Sequence, residues 1–280
     1  VQSNLLAVLF ALASALTIAW GTVVRHRIAE AAPQGGNAAI LAAMKRPLWW
    51  AGMSTAIIAY VLQVVALGFG PLLVVQPILV MSLMFTLPLS AHYDGRRITV
   101  SEMTWASILT VSVSVLVLLG RPLPGDSHPP LEKWFIPGGI GILILFALDR
   151  FAYRQIRREK ALLLGIVCGG TFGFVAVFSK AVADIFRLYG PLGLLTNWET
   201  YALVAAATIG TVVQQSSFNA GALKNSLPAM KSGEPVFAFT LSYLILGEKF
   251  QATDLEWLWM AIAAFLMIFS TVMLSRRGVG

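Results

Sequence analysis

A chain of 280 residues that is 58% hydrophobic and 12% charged, with a mean hydropathy of +0.78, is not composed like a soluble domain, which carries roughly twice that charged fraction. The formal charge of +7 raises nucleic acid as a partner, but the basic residues are spread over alternate loops and form no patch, so no nucleic-acid partner is expected. The partner this composition demands is a lipid bilayer. A closed β-barrel would need alternating strands of about ten residues. Residues 4–23 do not alternate, so the expected class is an all-α polytopic membrane protein.

Nine apolar runs reach the roughly 20 residues that a helix needs to cross a ~30 Å hydrocarbon core. The first, 4–24, carries Ala7, Ala11 and Ala15 on one ridge. Its Ala11-Leu-Ala13 and Ala13-Ser-Ala15 resemble a signal-cleavage site, but no basic region precedes them, and a retained helix is expected. A basic loop, 25–46, leads to the second run, 47–69, which contains Gln63; the third, 71–92, contains Gln76 and Pro77. The fourth is 101–120, and after it the Pro-rich stretch 121–133 reads as a turn and as the joint between halves. A fifth run, 134–151, follows.

The sixth run, 161–182, has a ridge of Gly165, Gly169 and Gly173 and contains the one cysteine, Cys168. Rows of small residues at this spacing let helix backbones approach closely. Lys180 and Asp184 stand four apart where this helix should meet the outer surface, and they read as paired boundary charges before a loop over 183–198. The seventh run, 199–221, contains Gln214, Gln215 and Asn219; the eighth, 227–246, contains Pro228, Lys231, Gly233, Glu234 and Pro235; the ninth is 255–275. Extra membrane segments near 28–45 or 184–198 stay open. Trp49, Trp50, Trp105, Trp134, Trp198, Trp257 and Trp259 all fall near expected helix ends, where an indole bridges headgroup and hydrocarbon.

With the N-terminus outside, 14 Lys and Arg residues collect on the cytoplasmic side against 5 outside. That is a positive-inside bias, and it predicts a cytoplasmic-membrane protein with its C-terminus inside. No long polar linker divides the chain, so residues 1–280 form one membrane domain. Within it a weak repeat is legible. Ala7, Ala11 and Ala15 match Gly165, Gly169 and Gly173 at an offset of 158. Gln63, Gly70 and Pro77 match Gln214, Gly221 and Pro228 at 151, and Gly95, Glu102 and Trp105 match Gly247, Asp254 and Trp257 at 152. Four helices in 4–120 and four in 161–275, separated by the single spacer 134–151, put the second repeat into the membrane from the opposite side. This is the inverted-repeat plan of many secondary transporters, with substrate held near the midplane.

Ionisable groups inside a span are costly and are functional candidates by default. Lys231 and Glu234 lie three apart, on one face of a helix that Pro228, Gly233 and Pro235 are expected to break or kink. Gln63, Gln76, Gln214, Gln215 and Asn219 either line a substrate path or hydrogen-bond between helices. His26, His92 and His128 lack metal-ligand spacing, and no nucleophile elbow, phosphate loop or cysteine–histidine cluster is present. No enzyme and no cofactor is expected, and the coupling ion or proton stays open, as does the oligomeric state.

Arg46-Pro-Leu-Trp-Trp-Ala-Gly52, then a helix, Gly70-Pro71 and a Pro-containing helix, resemble the NIPA branch of the drug/metabolite transporter (EamA-like) superfamily. Residues 172–180 and Leu244-Ile-Leu-Gly-Glu-Lys249 resemble the same superfamily, so the likeness spans most of the chain. The resemblance implies a transporter of inverted repeats, with Mg²⁺ associated with the NIPA branch and small organic metabolites with the wider superfamily. Two features depart from it. The superfamily usually has ten helices, and the first repeat ends Asp94-Gly95-Arg96-Arg97, without the Gly-Glu of Gly247-Glu248. For Mg²⁺, Glu234 would be the one acidic ligand well inside a span, with an ammonium one turn away. The expected function is therefore secondary transport of a small polar or charged solute, an anionic, zwitterionic or polar organic one, with Glu234 pairing Lys231 or relaying protons. A magnesium transporter is the alternative, and a non-transporting scaffold or accessory subunit is the alternative from another class.

Overall fold

In hydrocarbon no water satisfies backbone N–H and C=O groups, and a helix pairs them within its own segment. The computed structural model describes residues 3–31, 44–220 and 223–277, and over these the long apolar runs are helices. In chain order α1 spans Asn4–Ala31, α2 Pro47–Phe69, α3 Leu72–Val80, α4 Ser82–Asp94, α5 Val100–Gly120 and α6 Leu131–Ala152. Then come α7 Arg157–Thr196, α8 Trp198–Ala220, α9 Leu223–Leu241 with a π-helical turn over Ser242–Leu246, and α10 Leu255–Arg277. Of the segment considered at 28–45, residues 32–43 lie outside the described residues.

Local chemistry sets the ends. Before α5, Thr99 Oγ1 accepts the Glu102 N–H while the Glu102 carboxylate accepts the Thr99 N–H, a capping box. Before α10 the Thr253 N–H donates to Glu256 at 3.1 Å in the same sense. α4 ends at Gly95 and the π-helical turn at Gly247, both left-handed with φ of 66° and 69°, a conformation that a Cβ would strain.

Among the described residues seven segments are long and apolar enough to cross a membrane: Asn4–Val24, Pro47–Phe69, Leu72–Tyr93, Val100–Gly120, Leu131–Ala152, Arg158–Thr196 and Leu255–Leu274. The runs expected at 199–221 and 227–246 are helical, as α8 and as α9 with its turn, but stand outside these seven. Gln214, Gln215 and Asn219 dilute the one, and Lys224, Lys231 and Glu234 the other. Leu118, Ile136, Leu143 and Phe265 are each more than 60% exposed. Such apolar faces suit lipid and would be an aggregation liability in water. The protein is an integral membrane protein built of helices.

All nine residues of α3 are buried, and α1, α5, α7 and α9 pack around it. The chain breaks at Met81, one turn after Pro77, whose missing N–H leaves the Leu73 carbonyl without its helical donor. The two small-residue ridges are contact lines. Ala7, Ala11, Ala15 and Ala19 are wholly buried. A Cβ at Gly165 or Gly169 would stand 2.6 Å from the carbonyl oxygen of Ser226 or Met230, so α7 meets α9 backbone to backbone. Gly169→Ala is expected to push α9 off this ridge and cost about 1–3 kcal/mol, the usual range for overpacking, read as a lower midpoint of thermal unfolding in detergent.

Three expectations need correction. The stretch 183–198 is not a loop: α7 runs through to Thr196 with a kink at Gly190 (φ 70°), followed by Pro191. The six residues after that kink rise only about 9 Å and are no further membrane span. α9 is not broken at Pro228 or Pro235; the glycine ridge supports it from one side, and Ser232 Oγ donates back to the Pro228 carbonyl at 2.7 Å. Trp134 is no interfacial anchor. It is 5% exposed, stacked on Phe178 and set edge-on to Trp198, because α6 turns its start toward α7 rather than to lipid.

Candidate functional site

α9 begins at Leu223, so Glu234 lies about 16 Å along it at 1.5 Å per residue, near the middle of α9 taken together with its π-helical turn. There a cavity of about 90 Å³ opens between helices of both sequence halves. Its polar lining is Gln63 from α2, Gln76 from α3, Ser82 from α4, Lys231 and Glu234 from α9, and Thr271 from α10. Four residues singled out in the sequence, from three different helices, therefore meet at one place.

Gln76 is 2% exposed, and its Nε2 donates to Glu234 Oε1 at 3.2 Å. The reverse amide orientation would set oxygen against carboxylate, so chemistry fixes this one. Gln76 Oε1 is then a buried acceptor without a partner among the described residues, a costly arrangement that a bound donor relieves. Lys231 does not pair with Glu234. Among the described residues its ammonium has no carboxylate within 4.0 Å. Pro235 also lacks the N–H that would engage the Lys231 carbonyl. The cavity thus offers a cation with three donors, a carboxylate, an orphan amide oxygen and a loosened backbone carbonyl. It can hold a small solute that presents both hydrogen-bond donors and an anionic or acceptor group.

Gln214 is not part of this lining; its Nε2 stands 3.5 Å from Met230 Sδ at the contact between α8 and α9. Gln215 and Asn219 lie in α8, with side chains outside the described ones.

A second polar constellation joins the halves at one end of the bundle. Lys180 is 3% exposed, and its Nζ donates to the carbonyls of Leu67 (2.6 Å) and Gly70 (3.1 Å) and to Asp184 Oδ1 (3.2 Å). The carboxylate of Glu248, wholly buried, accepts the N–H groups of Leu72 and Leu73 at 2.9 and 3.0 Å and the Ser242 hydroxyl at 2.6 Å. A cation thus sits on the C-terminus of α2 and an anion on the N-terminus of α3, each matched to the helix dipole. Burial pushes the Glu248 carboxyl above its usual range, against the lowering effect of Ser242, Lys180 and the two N–H groups. Lys180 and Asp184 do pair four apart, as expected, but both are buried rather than standing at the surface, and α7 continues past them to Thr196. The joint 121–133 lies against the same end, where the Leu123 N–H donates to the Lys249 carbonyl and the Asp126 N–H to the Leu246 carbonyl.

An uncharacterized protein of Corynebacterium glutamicum is 58% identical over 278 residues, covering 98% of this chain and 96% of that protein. The chain belongs to the same family. The matched 278 residues span both halves of the chain. No protein-family model matches the chain, and no solved structure does.

Sequence reasoning missed Ser82 and Thr271 in the cavity, placed the Lys180–Asp184 pair at the surface and gave Glu248 no role. The hydroxyls carry no signal inside apolar helices. The Gly247-Glu248 pair did stand out as a family-like motif, but its role depends on Glu248 being folded back onto Leu72, 176 positions earlier in the chain.

Proposed function

We propose that the protein is a secondary transporter of a small polar or charged solute across the cytoplasmic membrane, by alternating access between two inverted repeats of a nine-span bundle. One observation carries this: a cavity near mid-membrane, lined by both halves, holds an ammonium and an amide oxygen that have no partner among the described residues, beside a carboxylate. A scaffold has no use for such groups, which are expensive in hydrocarbon. The repeat is supported by matched punctuation. A left-handed glycine (Gly95, Gly247) ends a helix in each half, and a Thr-x-x-Glu cap (Thr99 with Glu102, Thr253 with Glu256) starts the next. This aligns Glu102 with Glu256 rather than with Asp254, the second loop being longer. The resemblance to the NIPA branch adds the same architecture.

An anionic, zwitterionic or neutral organic solute suits the cavity better than Mg²⁺. Mg²⁺ favours one or two carboxylates with waters. Among the described residues Glu234 is the one carboxylate in the lining, and Lys231 repels a cation. Uptake by proteoliposomes of small organic anions, zwitterions, neutral polar solutes and Mg²⁺ tests the proposal. Flux of an organic class above protein-free vesicles supports it, Mg²⁺ flux alone favours a magnesium transporter, and no flux of any class favours a scaffold or accessory subunit.

The charge bias supports an outside N-terminus and an inside C-terminus, which sets the Lys180–Glu248 cluster at the outer end. In a Cys168→Ala background, Ser127→Cys is expected to react with an impermeant maleimide on intact cells and Gln155→Cys is not. Labelling of the second site alone would reverse the orientation.

A further inference from the structure

At the end of the bundle away from Glu248, the start of α7, the first turns of α9 and the end of α10 leave a groove of about 470 Å³, far larger than the central cavity. Arg158 and Arg276 line it from α7 and α10, and Leu162, Ile166 and Val272 give it an apolar floor. Both arginines are exposed, and neither has a carboxylate within 4.0 Å among the described residues. Ser232 also lines the groove, but its hydroxyl is committed to the Pro228 carbonyl at 2.7 Å. Polar recognition therefore falls to two guanidinium groups on different helices, whose planar forks fit a phosphate oxygen pair.

We propose that this groove is a binding site for an anionic phospholipid, its phosphate held between Arg158 and Arg276 and an acyl chain lying along Leu162, Ile166 and Val272. Exposed arginines at the mouth of an apolar slot between helices match an amphiphile with one charged end, and basic pockets between membrane helices take such headgroups. A free phosphate would use the arginines and leave the apolar floor bare. The site stands independently of the transport proposal, but it touches it at one point: Ser232 follows Lys231 on α9, so a lipid here braces the helix that carries Lys231 and Glu234.

The test uses the full-length protein purified in a zwitterionic detergent or phosphatidylcholine nanodiscs, titrated with phosphatidylglycerol and followed by thermal unfolding. Wild type is expected to be stabilised in a saturable way. The R158Q/R276Q variant should bind roughly 30-fold more weakly and each single variant roughly fivefold, from about one unit of surface electrostatic energy per arginine. R97Q/R154Q, which loses the same charge elsewhere, should respond as wild type does. An undiminished response in R158Q/R276Q, or an equal loss in R97Q/R154Q, overturns the proposal. So does a full shift with inorganic phosphate at the same concentration, which would make this a site for a free anion.

Discussion

Replacing Glu234 with glutamine is expected to leave the protein inserted and folded while lowering solute uptake roughly ten- to a hundredfold. The substitution keeps shape and volume, and the glutamine carbonyl can still accept from Gln76 Nε2, now at 3.2 Å. What disappears is the charge, and hydrogen bonds to a charged group are worth about 1.5–3 kcal/mol, with 1.4 kcal/mol per factor of ten. If Glu234 relays protons, the residual activity loses its pH dependence as well. Lys231→Met is expected to lower uptake of an anionic or zwitterionic solute by a similar factor, because the ammonium lining the cavity goes with it. A Mg²⁺ carrier would tolerate or gain from that change. Initial uptake rates in proteoliposomes, normalised to folded protein, read both variants. Wild-type rates in both would return the pair to a purely structural role, and loss of Mg²⁺ flux in Glu234→Gln alone would favour the magnesium reading.

Lys180→Met is expected to destabilise the protein by about 3–5 kcal/mol, the range for removing one partner of a buried charge pair. It strips the carbonyls of Leu67 and Gly70 of a donor in one stroke and leaves Asp184 buried with Arg187 at 3.5 Å as its remaining ion partner. Glu248→Gln should cost less, since an amide oxygen can still accept from one of the Leu72 and Leu73 N–H groups. Unfolding of the purified variants against wild type measures both. A loss under about 1 kcal/mol for Lys180→Met, the scale of exposed pairs, would mean that the cluster does not hold the two halves together.

The legible part of this protein was what hydrocarbon imposes. Runs of twenty apolar residues became helices nearly where composition puts them, and the small residues at four-residue spacing in α1 and α7 became contact ridges, because both follow from local rules of length and size. The intramembrane polar residues were legible as exceptions, and four of them met in one cavity. Gln214 did not, since whether a residue on an apolar helix turns toward a neighbour or toward a void depends on how several helices pack. The end of α7 was misjudged for a different reason. Gly190-Pro191 marks a break, but Lys180 is buried against the carbonyls of Leu67 and Gly70, more than a hundred residues earlier, and nothing local distinguishes a buried capping lysine from a surface one. The tolerated prolines of α9 likewise depend on the glycine ridge of α7, more than fifty residues earlier in the chain.

The central claim, that the Lys231–Glu234 cavity opens in turn to both sides of the membrane, is tested most directly at Ser82, which lines it and is 7% exposed. In a Cys168→Ala background, Ser82→Cys in oriented proteoliposomes is treated with a small impermeant anionic methanethiosulfonate, added outside in one sample and inside in another. Alternating access predicts modification from each side, slowed in both samples by the transported solute and by Lys231→Met, which removes the attracting charge. A cysteine that stays unmodified from both sides, or reacts from one side alone at a rate no solute alters, would contradict a transport path through this cavity.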